Sequence, residues 1–600
     1  METTINQVFK NRVEKYGDRL AVEKRRGDTW ETATWNEYYQ RSRNVGLGLY
    51  ALGVKKGERV AILSDNRLEW IYTDMGALGI GACVVALYAT IPASEVEYIL
   101  KDAGAKAVVV ENKNQLSKAL AAHKNCPALE KIIVIESADC ELDGESTLAF
   151  GDVMKAGEKK YAEDSALFAK LADAVTPDDL LTLQYTSGTT GNPKGSILTH
   201  GVVMAQLHAL DAVEPKYGYD TDNVVGFLPL SHIFERVPVH FYVMYRGITK
   251  SYAGSMETLV ADIAAKKPTI MFGVPRVHEK IYHKMLAGVK EKSHLVQSLF
   301  GWAQGVGDEV SRYKQEKNPI PGGLKFKYKL AYAVVFKKLQ HALGGRIRWF
   351  CAAGAPIAKE IVSFFQSAGI FVLEGYGLSE VAGGATLSNL DDFYPGSVGR
   401  PLPGFDIKIA DDGEILIKSE SLFKGYWGMD AETRAAFTAD GYFKTGDVGM
   451  FNKQGLLFIT DRKKDLLITS GGKNIAPQKI EAIFKENPIF SQFVVVGDAR
   501  KYLTALVNID LDIAKVAATE KGIKFSQPEE LLGDPAFLSL LDEILAENNK
   551  RLASVETIKY YRILKTPLSA ATGELSVKLS VKRDVVQKKY ADVINSMYKD

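Results

Sequence analysis

The chain has 600 residues, 46% of them hydrophobic, enough for roughly three to five packing units around large buried cores, so global disorder is excluded. Lys and Arg total 75 against 73 Asp and Glu, a net charge of +2 that lacks the basic excess of a dedicated nucleic-acid binder. The four cysteines, Cys83, Cys126, Cys140 and Cys351, show neither metal-ligand spacing nor a secreted disulfide framework, and the N-terminus carries no apolar signal core, so a reducing cytosol is expected.

In chain order, Asn6 to Tyr16 has a helical apolar face at Phe9, Val13 and Tyr16, and Thr34 with Glu37 forms a capping box for a helix ending near Leu52. Met75 to Ser94 carries no charge and is long enough to span a bilayer. Its glycines, its alanines and Pro92 instead predict a buried helix end, Met75 to Gly81, and a buried strand, Ala82 to Leu87. Short continuous apolar runs at 60–63, 107–110, 132–135, 180–184, 269–272 and 347–350 predict strands covered on both faces, as in a parallel α/β sheet. Lys, Glu and aromatic residues mix at helical spacing from about Val289 to Gln340, which reads as a helical excursion. After Pro401 the runs 406–409, 414–417 and 456–459 alternate as short strands of a β-rich subdomain, about 401–460. A charged junction, Asp461-Arg-Lys-Lys-Asp465, opens an α+β tail with strands at 493–496 and 504–507 and a helix near 538–552. The expected organisation is therefore an N-terminal domain, 1–460, and a C-terminal domain, 461–600.

The chemistry concentrates at Tyr185-Thr-Ser-Gly-Thr-Thr-Gly-Asn-Pro-Lys-Gly195. Hydroxyls at Thr186, Ser187, Thr189 and Thr190 surround Gly188, Gly191 and Gly195, with Lys194 as the one cation. Glycines free backbone N–H groups to curl inward, hydroxyls add donors and the lysine adds charge, a set that suits a polyphosphate. The order Gly-Lys-Ser/Thr of P-loop NTPases is absent, since Pro193 precedes Lys194 and Gly195 follows it.

This stretch resembles the phosphate loop of the adenylate-forming enzymes, the acyl-CoA synthetases, luciferases and adenylation domains of peptide synthetases. Further blocks occur in that family's order: Leu228-Pro-Leu-Ser-His-Ile-Phe-Glu-Arg236, Gly354-Ala-Pro356, Gly375-Tyr-Gly-Leu-Ser-Glu380, Thr445-Gly-Asp447, Asp461-Arg-Lys-Lys-Asp465 and Ser470-Gly-Gly-Lys-Asn-Ile475. The Ser-His-Ile-Phe-Glu-Arg version most resembles the long-chain fatty acyl-CoA synthetases. The resemblance implies a large α/β domain of stacked sheets with a β-rich subdomain and a small mobile α+β lid that rotates about Asp461, one orientation serving adenylation and the other thioester formation.

It also implies roles. Thr186, Ser187, Gly188, Thr189, Thr190 and Lys194 would hold the β- and γ-phosphates. Glu380 reads from the residues alone either as an exposed acid at a helix start or as a magnesium ligand, and the resemblance implies the second. Tyr376, with Gly375, Gly377 and Ser379 beside it, would present a flat face to adenine, with Gly354, Ala355 and Pro356 opposite. Asp447 is either a turn residue or the acceptor of both ribose hydroxyls. Arg462 would reach the ribose or α-phosphate. His232 suits a structural role or, by resemblance, sits with Phe234 and Phe241 beside the acyl carboxylate. Gly471 and Gly472 would let a pantetheine arm pass.

One position departs from the family. Its C-terminal catalytic lysine, three residues before an arginine matching Arg583, is here Ser580, flanked by Lys578 and Lys582. In an extended segment the side chains of 578, 580 and 582 share one face, so either lysine is a candidate substitute or both are solvated charges. The resulting expectation is a cytoplasmic long-chain fatty acid–CoA ligase using ATP, magnesium and CoA, with no nucleic-acid partner, and with peripheral attachment at the inner membrane face left open. A ligase serving a carrier protein, an aromatic-acid CoA ligase and an adenylation-deficient nucleotide- and fatty-acid-binding scaffold stay as alternatives.

Overall fold

The computed structural model describes residues 2–186, 192–470, 473–569, 572–575 and 581–598, without the side chains of Ile468 and Asn474. Among these residues the apolar runs form strands that join two main sheets. The first has seven strands in the order Thr147–Ala149, Lys131–Val134, Ala105–Val110, Arg59–Leu63, Cys83–Leu87, Leu180–Thr186 and Lys194–Thr199. All its pairings are parallel except the last, a hairpin. The second has nine, in the order Arg400–Pro401, Thr386–Leu387, Phe371–Tyr376, Trp349–Ala353, Ile270–Gly273, Asn223–Gly226, Thr249–Tyr252, Leu20–Arg26 and Thr29–Thr34. Its centre is parallel and its edges antiparallel. Parallel strands need helical crossovers that cover both faces, which is why these runs are continuously apolar rather than alternating.

The helix Leu68–Gly79 lies between the two sheets. It touches Leu20–Arg26 of one and Arg59–Leu63 and Cys83–Leu87 of the other, and every residue but Glu69 is buried. This accounts for the charge-free run beginning at Met75: after Asp74, whose charge is paired with Arg236, the covered turns of this helix carry only apolar residues and glycine. Among the described residues no helix is long and apolar enough to cross a membrane.

The chain divides into two units by internal packing. One comprises Met1–Ala355, Ile361–Ile407 and Ile417–Phe443, and the other Pro356–Glu360, Lys408–Leu416 and Lys444–Asp600. The first unit holds both large sheets, the helix Pro275–Lys290 and, within the expected helical excursion, the helices His294–Gln315 and Gly322–Ala331. A four-stranded sheet is built from Asp406–Ile409, Glu414–Lys418, Phe443–Phe451 and Leu457–Arg462. The second unit also has a three-stranded sheet, Phe490–Val496, Leu503–Ile509 and Ile558–Ile563, in which Phe484 and Phe493 stack at 4.1 Å within a closed apolar core.

Several elements differ from the sequence expectation. The strand expected at 347–350 is Trp349–Ala353, because the ladder to Ile270–Gly273 starts at the Ile270–Trp349 pair while Arg348 turns to Asp222. The tail helix expected at 538–552 is Pro535–Asn549. Asp534 caps it by accepting from Phe537 N, and Pro535 suits its first turn. The first helix, Ile5–Tyr16, buries Ile5, Val8 and Phe9, whereas Val13 and Tyr16 are half-exposed. The capping box at Thr34 and Glu37 is formed reciprocally, and its helix runs Trp35–Ala51.

Candidate active site

In the first unit, the strand Leu180–Thr186 organises the site. Residues two apart on a strand share a face. Thr182 and Gln184 both reach the Leu228–Arg236 block: Gln184 Nε2 donates to Ser231 O at 3.0 Å, and Arg236 Nη1 donates to Thr182 Oγ1 at 2.7 Å. Asn66 fixes the other end of the block, donating to Leu228 O at 2.6 Å and accepting from Leu230 N at 2.8 Å.

Arg236 is completely buried and forms a two-armed ion pair with buried Asp74, at 3.1 Å and 2.5 Å. Beside it, Glu235 and Lys250 form a second buried pair at 2.6 Å. His240, on the π-helical turns Glu235–Phe241, meets the hydroxyls of Tyr252 at 2.9 Å and Tyr38 at 3.4 Å, and burial holds its ring well below the usual histidine range. His232 is half-buried, its Nδ1 accepting from Phe234 N at 3.0 Å and its ring edge-on to Tyr88. Phe234 packs edge-on against Phe272, while Phe241 is fully enclosed against Arg236 and His240.

At the end of the same strand, Thr186 pairs with Lys194 and Tyr185 with Gly195 across the hairpin. Ser187, Gly188, Thr189, Thr190 and Gly191 lie outside the described residues. Gly195 answers a need different from loop curvature: a Cβ there would lie 3.0 Å from the Tyr185 ring, so glycine is what lets the ring lie across the neighbouring strand.

The segment Phe423 to Trp427 connects this hairpin to Glu380. Lys424 N donates to Ile197 O and Trp427 N to Gly195 O, while Phe423 N donates to Glu380 O. Tyr426 thereby comes to lie between the two charged residues. Its hydroxyl donates to Glu380 Oε1 at 3.0 Å, and Lys194 Nζ stands 5.1 Å from the centre of its ring. Burial, then the Glu380 carboxylate, raises the Tyr426 hydroxyl far above the usual tyrosine range, so it remains a donor. Sequence reasoning missed Tyr426, because its partners lie 46 residues back and on another strand.

Glu380 sits in a tight turn after the strand Phe371–Tyr376. Gly377 permits it, since a Cβ there would lie 2.0 Å from Gly383 O, and Ala382 takes a left-handed backbone at φ 53°. Tyr376 and Ser379 are buried, and Gly375 and Gly377 half-buried. Gly354, Ala355 and Pro356 are exposed after the strand Trp349–Ala353, with Gly354 at φ 86°.

In the second unit, Asp447 and Arg462 are partners across the Phe443–Phe451 and Leu457–Arg462 ladder. Arg462 Nε lies 3.1 Å from Asp447 Oδ1, with Asp447 buried and the guanidinium half-exposed. Buried Asp461 accepts from Arg462 N at 2.6 Å and from Gln478 N at 3.1 Å. The second bond satisfies the start of the helix Pro477–Lys485, whose capping position is Ala476 and offers no side-chain acceptor. Burial is the largest influence on Asp461 and pushes its carboxyl up to about 6, against the two backbone donors and Arg583.

Arg583 is itself buried, donating to Glu481 Oε1 at 2.6 Å and Val495 O at 3.0 Å. Lys582 follows the Leu575–Val581 bridge and is half-buried. Lys578 and Ser580, and also Gly471 and Gly472, lie outside the described residues. Among the described residues no group of three His, Cys, Asp or Glu side chains could hold a metal ion by itself. A magnesium ion is compatible with this, because it commonly takes one carboxylate and completes its shell with water and phosphate oxygens.

A hairpin bearing Lys194, a carboxylate held by a half-buried tyrosine and a separate α+β unit are the setting in which family comparison identifies an adenylate-forming enzyme. Residues 9–427 match the family model of the AMP-binding enzyme, and residues 464–600 match that of the AMP-binding enzyme C-terminal domain. The chain belongs to the AMP-binding enzyme family. It is 34% identical over 579 residues to the long-chain-fatty-acid–CoA ligase FadD15 of Mycobacterium bovis, covering 95% of this chain and 92% of that protein. To the long-chain-fatty-acid–CoA ligase ACSBG2 of Xenopus laevis it is 33% identical over 629 residues, covering 100% of this chain and 84% of that protein. In fold it is similar to the anthranilate CoA ligase AuaEII, at TM-score 0.72, 18% identity and coverage of 99% and 100%. It is likewise similar to the adenylation domain of a carboxylate reductase from Mycobacterium chelonae, at TM-score 0.73, 22% identity and coverage of 100% and 91%.

Proposed function

We infer that the chain is an AMP-forming long-chain fatty acid–CoA ligase. The observation that carries this reading is the joining of Lys194 to Glu380 through Tyr426, in a chain whose relatives of that activity match it along nearly its whole length. A carboxylate is a poor acyl donor because its leaving group would be oxide. Its oxygen attacks the α-phosphorus of ATP, the bond to pyrophosphate breaks, and the mixed anhydride carries AMP as a leaving group. The CoA thiolate then attacks the acyl carbon and AMP departs. Every reactant in the first step is anionic, so the protein's work is charge neutralisation and positioning.

In this reading Lys194 and Thr186, with Ser187, Gly188, Thr189 and Thr190, hold the β- and γ-phosphates. Glu380, oriented by Tyr426, is the carboxylate for magnesium, which when bound offsets phosphate charge. Tyr376 with its glycine neighbours, and Gly354, Ala355 and Pro356, frame adenine. Asp447 takes the ribose hydroxyls while Arg462 steadies its carboxylate and serves the α-phosphate. His232 and Phe234 position the acid, whereas Phe241 is enclosed against Arg236 and His240. Asp461 is the hinge, Gly471 and Gly472 admit the pantetheine arm, and Lys578 or Lys582 brings the final positive charge. The reading also includes a cytoplasmic site of action, in keeping with four unpaired cysteines.

The deciding experiment is acid-dependent exchange of labelled pyrophosphate into ATP over a panel of acids, followed by assay of AMP and acyl-CoA with CoA as the sole thiol. Exchange and acyl-CoA formation with long-chain acids are expected. Exchange without acyl-CoA would assign a carrier protein as acceptor, a preference for aromatic acids would move the substrate class, and no exchange with any acid would leave a binding scaffold.

A further inference from the structure

The helical excursion presents a surface that carries none of the residues assigned to the reaction. Between Glu316 and Glu360 there is no Asp or Glu, against nine Lys and Arg, in a chain whose overall charge is only +2. The helix Gly322–Ala331 lies inside this stretch. It packs Leu324, Tyr328 and Ala331 into a local core with Val306, Val310 and Phe336. Residues four apart on a helix are neighbours, so Phe326 and Leu330 form an apolar pair on the side opposite that core, and they are 71% and 49% exposed. Lys325, Lys327 and Lys329 flank the pair, and Lys337 and Lys338 follow. All five are exposed, and none pairs with a carboxylate among the described residues. Tyr332 is exposed at the helix end, and on the preceding helix Leu295 and Trp302 also reach solvent.

Exposing a phenylalanine and a leucine side by side is unfavourable in water, and lysines unpaired with acids repel one another. Both costs are relieved by a single occupant. We propose that the helix Gly322–Ala331 docks on an anionic phospholipid bilayer. Phe326 and Leu330 enter the acyl boundary, and the lysines extend their stems so that their ammonium groups meet the headgroup phosphates. A long-chain fatty acid partitions into bilayers, so a ligase of the proposed specificity meets its substrate there. Vesicle binding and pyrophosphate exchange are measured separately, so either can fail alone.

The test is cosedimentation of the full chain with vesicles of phosphatidylcholine mixed with phosphatidylglycerol, against pure phosphatidylcholine. Binding to the mixed vesicles, falling with added salt, is expected. At roughly fivefold per lysine, Lys325→Gln, Lys327→Gln and Lys329→Gln together should weaken it about a hundredfold. Phe326→Ser with Leu330→Ser should weaken it at least about tenfold. Both variants should keep the wild-type melting temperature and the vesicle-free exchange rate, since the changed side chains lie outside the local core. Equal binding to both vesicle types, no binding to the mixed vesicles, or binding indifferent to both variants overturns the assignment. So does a concentration-dependent dimer that Phe326→Ser with Leu330→Ser abolishes, which would give this face to a second copy of the chain.

Discussion

Tyr426 is the residue whose removal tests the site most narrowly. Tyr426→Phe keeps the ring beside Lys194 and removes only the hydroxyl that donates to Glu380. A hydrogen bond to a charged group contributes about 1.5–3 kcal/mol, so adenylation should slow at least about tenfold. The loss should depend on magnesium concentration, because the freed carboxylate has to be reoriented to meet the ion. Single-turnover adenylation across a magnesium series measures this; a uniform loss at all concentrations would reduce Tyr426 to a packing residue. Lys194→Ala removes a charge-assisted contact and should cost at least about tenfold in ATP use. The complementary experiment restores a charge: Ser580→Lys should speed adenylation by about 10²–10³ if that position is the vacant lysine site, since one well-placed donor is worth about that much. If Lys578 or Lys582 already serves, the gain will be small and alanine at that lysine will abolish adenylation, while thioester formation from supplied acyl-AMP changes little in either case.

Local segments are held by buried charge, and that makes their energetics unusual. The block from Leu228 to Arg236 rests on the Arg236–Asp74 pair between a π-helical turn and the inter-sheet helix. Arg236→Met leaves Asp74 buried and uncompensated, which should cost about 3–5 kcal/mol, whereas Arg236→Met with Asp74→Leu should be far milder. Urea unfolding of the two variants separates them. In the second unit, Asp461 has a folded pKa of about 6 against an ordinary 3.8. The folded state therefore holds a proton that the unfolded chain releases in this interval. That contribution to stability is complete below pH 3.8 and is lost as pH rises toward 6. Asp461→Asn cannot titrate, so the fall in melting temperature over this window should flatten while the amide oxygen still accepts from Gln478 N. An unchanged slope would place the titration elsewhere.

Across the whole molecule, the reading of one cleft serving two reactions turns on Asp461. Asp461→Pro fixes φ near roughly −65° and removes a backbone donor in a paired strand. Adenylation and thioester formation, measured as separate half-reactions, should then respond unequally. Equal slowing of both would count against alternation of two orientations.

Much of this was legible in the chain itself. The continuous apolar runs announced buried parallel strands because covering both faces of a sheet leaves no room for polar alternation, and the capping box at Thr34 and Glu37 formed as read because its bonds span only three residues. The motif blocks identified the chemistry for the same reason: phosphate and carboxylate binding demand particular residue types at short spacing. What the chain could not disclose depends on neighbours distant in sequence. Tyr426 reaches Glu380 only because Phe423 to Trp427 bonds to a strand more than two hundred residues earlier. Gly195 is needed by the Tyr185 ring across a hairpin, and Asp447 is paired to Arg462 by the register of a ladder. Arg236 and Asp74 carry no sign in sequence that they pair with each other on leaving water. Local composition determined which elements form and which reaction they serve. Tertiary packing decided which side chain orients which, because burial and register bring together groups that no sequence spacing relates.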